Sequence, residues 1–399
     1  MRIATNILYS SALSRLSTLQ EGIVKTQSQI SSGKRILTPS DDPIGAARVL
    51  DLSQSQAINT QLAANRQNTG NSLSSEETVL QSTTSLLQDV KTLSIGAGDG
   101  AISNTDRKSI ALELRSRFDQ LVGQANTADG TGNYLFAGFQ VGSPPFTATS
   151  SGVQYTGDQG QRFVQVGTSR QIAQSDPGDA VFSNVPATKL SATAAGTANT
   201  GTGTVSSVAV IDASHVTGHN YNINITGGGT TYDVLDVTLG TTVSTGAPYT
   251  AGAPIVFDGQ QLSVSGAPAA GDSFTVRPAK SQSIFKTIGD LITALETPVS
   301  TPTEKANLTY SLSVANGNLD NALDNVLSVR SSVGSRLKEI DSLNTYGDDR
   351  NLQYASSIEN IQGLDYAKGI SDFTQQNTTL EAAQKTFVKI SGLSLFSLL

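Results

Sequence analysis

The longest helical pattern in the sequence lies in TPTEKANLTYSLSVANGNLDNALDNVLSVRSSVGSRLKEIDSL, residues 301–343. Residues that would lie along one side of a helix, most of them apolar, follow one another in alternating steps of four and three. They are Leu308, Leu312, Ala315, Leu319, Ala322, Val326, Val329, Val333, Arg336, Ile340 and Leu343. This heptad spacing predicts a long helix with one narrow apolar seam, which needs partner helices to cover it. Residues 301–304, Thr-Pro-Thr-Glu, predict its start as a capping box with proline at the first helical position. The spacing continues to Leu364, with YGDDR at 346–350 as a candidate break.

The partner helices are expected in the first third of the chain. Heptad spacing recurs at Leu16, Leu19, Ile23, Thr26 and Ile30, and again at Val79, Thr83, Leu86, Val90 and Leu93. We expect the second of these helices to begin at Asp42-Pro43 and to stop at GAGDG, residues 96–100. A third helix is expected to have Asn104 or Thr105 as its N-cap. Its apolar face would contain Ala111, Leu114, Phe118, Leu121 and Ala125.

The middle of the chain carries a different pattern. Between about residues 141 and 280 the repeat of apolar residues falls from 3.5 to 2 residues. It occurs in short runs such as YNINIT and SFTVRP, which are separated by clusters of Gly, Pro, Asn and Asp. This predicts an antiparallel β insertion, as one domain or as two small ones. A short helix through Ile284 and Leu295 is expected to end before Pro298. The predicted fold class is therefore mainly α with a β insertion, an elongated antiparallel helical rod or coiled coil built from both chain ends.

The stretch ISSGKRILTPSDDPIGAARVL, residues 30–50, is either a ligand site or a bend between two helices. Asp42 fits an N-cap with Pro43 at the first helical position, and Asp41 adds negative charge beside the positive helix end. Pro39 disfavours helix at the residue before it. The single glycine of SSGKR lacks phosphate-loop spacing, and two aspartates are too few ligands for a metal. We therefore interpret Pro39, Asp41, Asp42 and Pro43 as a turn between two helices.

The composition gives no support for catalysis, disulfide bonds or membrane insertion. The chain has no Cys and two histidines, His215 and His219, which lie in a strand-like region without further metal ligands. With only these histidines, no Ser/His/Asp set for nucleophilic catalysis can be assembled, and GAGDGAISNTD lacks the spacing of a calcium loop. No apolar run approaches the ~20 residues of a membrane span, and the N-terminus lacks the apolar segment of a signal peptide. We expect no enzyme activity, cofactor, metal, nucleic-acid partner or membrane insertion.

The net charge of −7 hides a basic N-terminus, since residues 1–36 contain five Lys or Arg and one Glu. A basic amphipathic segment is typical of a membrane-surface binder or a nucleic-acid binder, and equally of a solvated helix face. These cations are dispersed along the segment, which favours the solvated face.

Four segments resemble the bacterial flagellin family: QSQISSGKRILTPSDDPIGAARVL (27–50), NYLFAGFQ (133–140), VRSSVGSRLKEID (329–341) and DYAKGISDFTQQNTTLEAAQKTFVKISGLSLFSLL (365–399). The resemblance covers about residues 1–160 and 281–399. The proline after the paired aspartates and the NYLFAGFQ segment are more similar to the hook-filament junction proteins of this family than to its filament flagellins.

The resemblance implies a division of the chain into five segments. Residues 1–42 and 365–399 would pair as N-terminal and C-terminal coiled-coil segments. Residues 43–140 and 281–364 would form the two halves of a helical rod. Residues 141–280 would form the variable β-rich domain, which faces outward in this family.

The resemblance also implies a structural role in the extracellular flagellum, after type III export without a cleaved signal peptide. The chain would act as an adapter at the hook-filament junction, assembling on the hook side and templating the growth of the flagellin filament. The implied partners are the other hook-associated protein on the hook side, flagellin on the filament side, further copies of the chain, and a cytoplasmic export chaperone at the C-terminal helix.

The terminal helices are the expected site of these contacts, because each seam is too thin to fold alone. The candidate contact residues are Leu16, Leu19, Ile23, Ile30, Ile370, Phe373, Leu380, Phe387, Ile390, Leu393 and Phe396. Three other functions are consistent with the sequence: a filament flagellin, a secreted surface adhesin with a coiled-coil stalk, and a membrane binder acting through residues 1–36.

Overall fold

The structure is a computed structural model that describes residues 2–130, 132–149, 152–186 and 191–396. Residues up to Asn65 and from Ser342 onward form one compact unit, here called the terminal unit, and Arg66–Asp341 form a second, the central unit. The predicted fold class, mainly α with an antiparallel β insertion, is confirmed. The predicted division into five segments stays a prediction.

Long helices occupy both ends of the chain. The helices are α1 (Arg2–Ser32), α2 (Pro43–Ala97), α3 (Asn104–Ala125), α4 (Ile284–Glu296), α5 (Pro302–Gln362) and α6 (Tyr366–Phe396). Helix α2 stops within the predicted GAGDG segment, and α4 ends before Pro298, as expected.

Helix α5 begins with the predicted capping box. The N–H of Glu304 donates to Thr301 Oγ1 at 3.2 Å, and the Thr301 N–H donates to Glu304 Oε2 at 2.8 Å. In the central unit, the seam of α5 is buried at Leu308, Leu312, Ala315, Leu319, Ala322, Val326, Val333 and Ile340. A heptad seam on a helix of this length is therefore matched by a buried face, as the spacing predicted.

The candidate break at residues 346–350 is wrong, because α5 runs through it without interruption. Gly347 is buried, and its carbonyl accepts a hydrogen bond from Asn59 Nδ2 at 2.7 Å. The Arg350 guanidinium donates to the hydroxyls of Tyr346 and Tyr354, one turn away on either side, at 3.1 and 2.7 Å. Such pairs four residues apart stabilise a helix and compensate for the glycine in it.

The N-cap predicted for α3 is also wrong, since Ser103 takes the position assigned to Asn104 or Thr105. Ser103 Oγ accepts from the Asp106 N–H, and the Asp106 carboxylate accepts from the Ser103 N–H, both at 3.2 Å. Ser and Asn are nearly equal as N-caps, so the sequence alone did not separate them. The Asn104 side chain instead binds the backbone of Val299 on the approach to α5, with Oδ1 accepting at 2.9 Å.

The β region contains two hairpins and two larger antiparallel sheets. The hairpins are β1 (Phe146–Thr149) with β2 (Gly152–Tyr155), and β3 (Phe163–Gln165) with β4 (Gln171–Ala173). The remaining strands are β5 (Ser191–Ala195), β6 (Thr204–Val205), β7 (Ala209–Val210), β8 (Tyr221–Thr226), β9 (Thr231–Asp236), β10 (Thr241–Pro248), β11 (Pro254–Phe257), β12 (Gln260–Ser265) and β13 (Ser273–Pro278).

Five of these strands form a sheet in the order β10-β9-β8-β13-β5, and β12 pairs with β11, β6 and β7 in a second sheet. Side chains of β8 alternate between buried and half-buried positions, as a sheet with one face on a core requires. The core is one cluster to which both sheets contribute, and Tyr221, Ile223, Val264 and Phe274 are among its most buried members.

The segment before β5 packs differently, against helices of the central unit. Phe146 and Phe182 lie within 5.1 and 6.1 Å of the Phe285 ring on α4, measured between ring centroids. Phe136 meets Phe182 edge to face at 5.2 Å. These rings are buried and form an aromatic cluster in the core beneath α4.

Polar contacts attach the β3–β4 hairpin to α2 and α5. Arg66 Nη1 donates to the Val166 carbonyl at 3.0 Å, and Arg336 pairs with Asp176. The Asp176 N–H donates to Oε1 of Glu76 at 3.1 Å. Burial, and then the nearby Asp176 carboxylate, raises the pKa of Glu76 well above its ordinary value. The hairpin and the residues after it are therefore held by buried and half-buried polar side chains of α2 and α5.

Candidate assembly surface

The terminal unit is organised around the turn between α1 and α2. Gly33 ends α1 with φ +68°, a conformation that other residues rarely adopt. A Cβ atom at this position would also lie 2.8 Å from the Tyr366 hydroxyl. The Arg35 N–H donates to the Gln362 carbonyl at 2.7 Å, and the Leu364 N–H donates to the Gly33 carbonyl at 3.0 Å. The turn thus binds the segment between α5 and α6.

Paired aspartates hold the second half of this turn. Asp42 Oδ1 accepts from the Gly45 N–H at 2.8 Å, which is an N-cap contact at the start of α2. Asp41 Oδ2 accepts from the N–H groups of Leu37 and Thr38, each at 3.0 Å, rather than acting only as a charge beside the helix. Pro39 lies between these partners, and Pro43 is the first residue of α2.

Two cations that the sequence did not connect to this turn neutralise the aspartates. Lys25 Nζ lies 2.5 Å from Asp41 Oδ1, and Arg35 Nη2 lies 3.1 Å from Asp42 Oδ2. The Lys25 hydrogen bond, followed by the backbone N–H groups, lowers the pKa of Asp41 to about 2. The Gly45 N–H, followed by Arg35, lowers the pKa of Asp42. Both carboxylates are therefore ionised, and both already accept hydrogen bonds from other groups of the chain.

Helices α1 and α6 pack against each other in antiparallel directions. Near one end of the pair, Gly369 lies beside Ile30, and an added Cβ would be 3.5 Å from the Ile30 Cγ1 atom. In the middle, the Thr26 hydroxyl donates to Gln376 Oε1 at 3.0 Å. Further along, the rings of Tyr9 and Phe387 lie 5.1 Å apart between centroids.

The structure places most predicted contact residues in a half-buried seam. The half-buried members are Leu16, Leu19, Ile23 and Ile30 on α1, and Phe373, Leu380 and Phe387 on α6. Ile370 is different, since 54% of its surface is exposed. Ile390, Leu393 and Phe396 belong to α6, but their side chains lie outside the described residues.

A second group of apolar side chains in the terminal unit points to solvent, and Ile370 is the only member of it that the sequence analysis singled out. This exposed apolar set consists of Leu13, Val24, Ile370 and Val388 on α1 and α6, with Ile44, Leu50, Ile58 and Leu352 on α2 and α5. Ile370 and Val388 are eighteen residues apart, which is five turns, so they lie on the same side of α6. Exposed apolar residues mark a protein–protein contact where they form a contiguous patch, so this set is a candidate contact surface.

The two histidines that the sequence offered as metal ligands are each paired with a carboxylate of the β region. His215 Nδ1 is 2.7 Å from Asp212 Oδ2, and His219 Nδ1 is 2.7 Å from Asp236 Oδ2, so each histidine has its own carboxylate. The described part of the chain holds no group of three or more His, Cys, Asp or Glu side chains placed to bind a metal ion. Among the same residues, no helix is both long enough and apolar enough to cross a bilayer.

Comparison with known proteins points to the flagellum. Residues 3–141 match the family model of the bacterial flagellin N-terminal helical region, and residues 194–278 match that of the D2-like domain of flagellar hook-associated protein 1. Flagellar hook-associated protein 3 of Salmonella typhimurium is 29% identical over 399 residues, which is 100% of this chain and 99% of that protein. Flagellin B of Vibrio anguillarum is 28% identical, but over only 36% of this chain and 40% of its own length.

A solved structure agrees over most of the chain. The flagellar junction protein FlgL from Legionella pneumophila is 31% identical, with a TM-score of 0.72, and the match covers 79% of this chain and 100% of that one. These relatives are structural proteins of the flagellum, an extracellular assembly of hook and filament components. The chain belongs to the FlgL family, the flagellar hook-associated proteins 3, and is a structural component of the bacterial flagellum.

Proposed function

We propose that this chain is the adapter at the hook-filament junction. In this role it assembles on the hook side beside the other hook-associated protein and presents a surface on which flagellin polymerises. The observation that carries the proposal is the antiparallel pair of α1 and α6, whose apolar seam is half-buried while further apolar residues face solvent. A helix pair with this distribution gains buried area when neighbouring subunits cover it.

Energetics support self-association through the terminal unit. Val24, Ile370 and Val388 are 61%, 54% and 67% exposed. Covering apolar surface contributes about 25 cal/mol per Å², so several such side chains per subunit contribute a few kcal/mol to each contact. The predicted seam residues and the exposed apolar set would together form the contacts with copies of the chain, with the other hook-associated protein and with flagellin.

The same surface is the basis for the proposed export route. Before assembly it would be exposed apolar surface, and a cytoplasmic chaperone that binds α6 would protect it from aggregation. We further propose that the chain leaves the cell through the type III channel without a cleaved signal peptide. The absence of Cys is compatible with passage as an unfolded chain, because no disulfide has to be broken.

We propose no catalytic role, since its relatives are structural proteins. Filament flagellin is the weaker candidate, because the similarity to flagellin B covers about a third of this chain, whereas that to hook-associated protein 3 covers all of it. A surface adhesin is also a weaker candidate, because the full-length relatives are structural proteins of the flagellum, and a membrane-binding role has no specific support among the described residues.

The junction role is tested by replacing one exposed apolar residue in a strain that lacks its own copy of the gene. Ile370→Asp puts a charge on the solvent side of α6, where it leaves the fold of the monomer intact but opposes burial by a neighbour. We expect cells that build hooks, shed flagellin into the medium and do not swim. Electron microscopy of hooks and immunoblots of the medium measure these outcomes.

Gln375→Asp is the matched control, because Gln375 is an exposed polar residue of the same helix and points away from Ile370. This variant should restore swimming. Filaments of normal length with Ile370→Asp would argue against assembly through this side of α6. A deletion strain that retains both hooks and filaments would contradict the junction role itself.

A further inference from the structure

A polar cleft of about 830 Å³ lies in the central unit, between the five-stranded sheet and α5. Strands β8 and β13 and the segment after β13 form one wall, and residues 310–321 of α5 form the other. Gly317 on the α5 wall contributes no side chain, and an added Cβ would meet no atom within 4 Å, so the cleft is open at this position. The volume is within the range of sites that bind small molecules.

The charge of this cleft is opposite to that of the whole chain. Arg277 and Lys280 line it, whereas none of its twenty lining residues is Asp or Glu, in a chain of net charge −7. Within the described part of the chain, neither cation has an ion pair or a side-chain hydrogen bond. Two exposed cations without carboxylate partners, three residues apart, create a local positive potential that attracts an anionic group.

The rest of the lining is rich in amides and hydroxyls. Five residues with amide side chains line the cleft: Asn220, Asn222, Gln282, Asn318 and Asn321. Asn222 Oδ1 is buried and has no hydrogen-bond partner within the protein, although a buried acceptor ordinarily has one. The Tyr310 hydroxyl is held by the Thr193 carbonyl, which fixes the Tyr310 side chain at the edge of the cleft.

We propose that this cleft binds an acidic oligosaccharide, with its carboxylates at Arg277 and Lys280 and its hydroxyls at the amides. Sugar hydroxyls donate and accept hydrogen bonds, as amide side chains do, and guanidinium binds carboxylate in a bidentate manner. A nucleic-acid strand fits less well, because it needs successive aromatic platforms. Of the two lining tyrosines, Tyr221 is 1% exposed, which leaves Tyr310 as the accessible ring. The inference does not depend on the junction role.

The test is isothermal titration of the full-length chain with tetragalacturonate, and with maltotetraose as the neutral probe. We expect one tetragalacturonate per chain, with affinity that falls as salt rises, and at least tenfold weaker binding of maltotetraose. Arg277→Ala and Lys280→Ala should each weaken tetragalacturonate binding about tenfold, the effect of one charge-assisted hydrogen bond. Arg277→Lys keeps the charge and should retain part of the affinity.

Lys108→Ala is the matched control, because Lys108 is an exposed cation on α3, outside the cleft. It should leave the affinity unchanged, and circular dichroism should show equal melting temperatures for all variants. Absence of tetragalacturonate binding would overturn the proposal, as would binding that neither Arg277→Ala nor Lys280→Ala weakens. Full competition by inorganic sulfate at equal ionic strength, or tighter binding of single-stranded DNA, would overturn the assignment to a saccharide.

Discussion

The hydroxyl of Thr26 donates a hydrogen bond to Gln376 Oε1 at 3.0 Å, across 350 residues of sequence. Thr26 is buried, and its neighbours along the seam are apolar. A polar pair inside an apolar helix seam favours the register that forms it, because a shift removes this interhelical contact and leaves Thr26 Oγ1 only the Gly22 carbonyl of its own helix, at 3.0 Å. This contact therefore gives α1 and α6 a defined alignment that the thin apolar seam alone would specify weakly.

We predict that cysteines at positions 22 and 376 can be cross-linked within one chain. Gly22 lies one turn before Thr26, and its added Cβ would be 3.9 Å from Gln376 Oε1. The chain has no Cys, so a short bis-maleimide reports only the introduced pair. The control pair, Gly22→Cys with Lys389→Cys, is about 20 Å further along α6 at ~1.5 Å per residue and should not react. Equal cross-linking of both pairs in monomeric protein would contradict the register.

The seam of α5 provides a prediction for the stability of the central unit. Val326 is fully buried, so Val326→Asp places a carboxylate in an apolar core without a partner. We expect a loss of about 3–5 kcal/mol in the free energy of unfolding, measured by urea titration. Leu327→Asp is the control, because the adjacent Leu327 is 47% exposed and should change the stability by less than about 1 kcal/mol. Similar effects of the two substitutions would show that this face of α5 is not the buried one.

The buried carboxyl of Glu76 makes the stability of the central unit depend on pH. Its pKa is raised in the folded protein, mainly by burial, so the folded state retains a proton that the unfolded chain releases. The stabilisation of the folded state by this proton is complete below the pKa of Glu76 in the unfolded chain, about 4.3. It is lost as the pH rises through the raised pKa, at about 1.4 kcal/mol per unit.

Glu76→Gln should remove this dependence, because an amide stays neutral at every pH. We expect the variant to melt higher than the wild type at pH 8, and the difference to shrink towards pH 5. Glu113→Gln serves as the control, since Glu113 is about half exposed and should give parallel curves. Differential scanning calorimetry between pH 5 and 8 measures both. A constant difference between Glu76→Gln and the wild type across this range would contradict the raised pKa.

Where the local pattern and the tertiary structure agree, the sequence predicted the fold well. The capping box of Thr301 and Glu304, the buried seam of α5 and the alternation in β8 all depend on residues close in sequence. By contrast, the continuity of α5 at Gly347 is supported by Asn59, almost 300 residues away, in addition to the local contacts of Arg350 with Tyr346 and Tyr354. Strand β10, TTVSTGAP, is mostly exposed and has no alternation, so only its pairing with β9 identifies it.

The assembly surface was predictable in part. The heptad pattern identified the seam between α1 and α6, because the seam is a periodic property of each helix. The pattern could not identify the Lys25–Asp41 pair, which joins residues brought together by the turn at Gly33. The pattern also assigned Ile370 to the seam, although its side chain is exposed. The spacing of apolar residues along α6 does not show which side of the helix α1 covers.

The β region provides a prediction about which residues can be deleted. Val185 and Gln282 form an isolated antiparallel bridge, with the Gln282 N–H donating to the Val185 carbonyl at 3.1 Å. The chain therefore leaves and re-enters the helical part at adjacent points. We expect deletion of residues 187–280, joined by a short Gly linker, to leave a folded helical protein. Circular dichroism and thermal melting measure this outcome.

A longer deletion, of residues 141–280, is the informative comparison. It also removes Phe146 and Phe182, whose rings lie against Phe285 in the aromatic cluster. Losing two buried rings should cost about 3–5 kcal/mol for each, so this variant should melt far lower or fail to fold. If both deletions melt alike, the segment that contains these phenylalanines is not part of the helical core.

The terminal helices should be the part of the chain most sensitive to protease before assembly. Among the residues of α1 and α6 whose burial is described, only Thr26 and Gly369 are buried. Apolar burial therefore contributes little to offset the conformational entropy that is lost when the helix pair becomes ordered. In a monomer verified by ultracentrifugation, we expect trypsin to cleave first at exposed cations of these helices, such as Arg15 and Lys385. Arg336, which pairs with Asp176 in the central unit, should be protected. Mass spectrometry of a time course gives the order of cleavage.

The trimmed protein should keep the melting temperature of the central unit, because the seam of α5 and the aromatic cluster lie within Arg66–Asp341. It should not support filament growth when added to isolated hooks with flagellin, because the contacts proposed for α1 and α6 are gone. Uncut protein taken through the same incubation is the control. If a core without residues 365–399 still joins hook to filament, the assembly contacts lie outside the terminal helix pair, on α2, α5 or the β region.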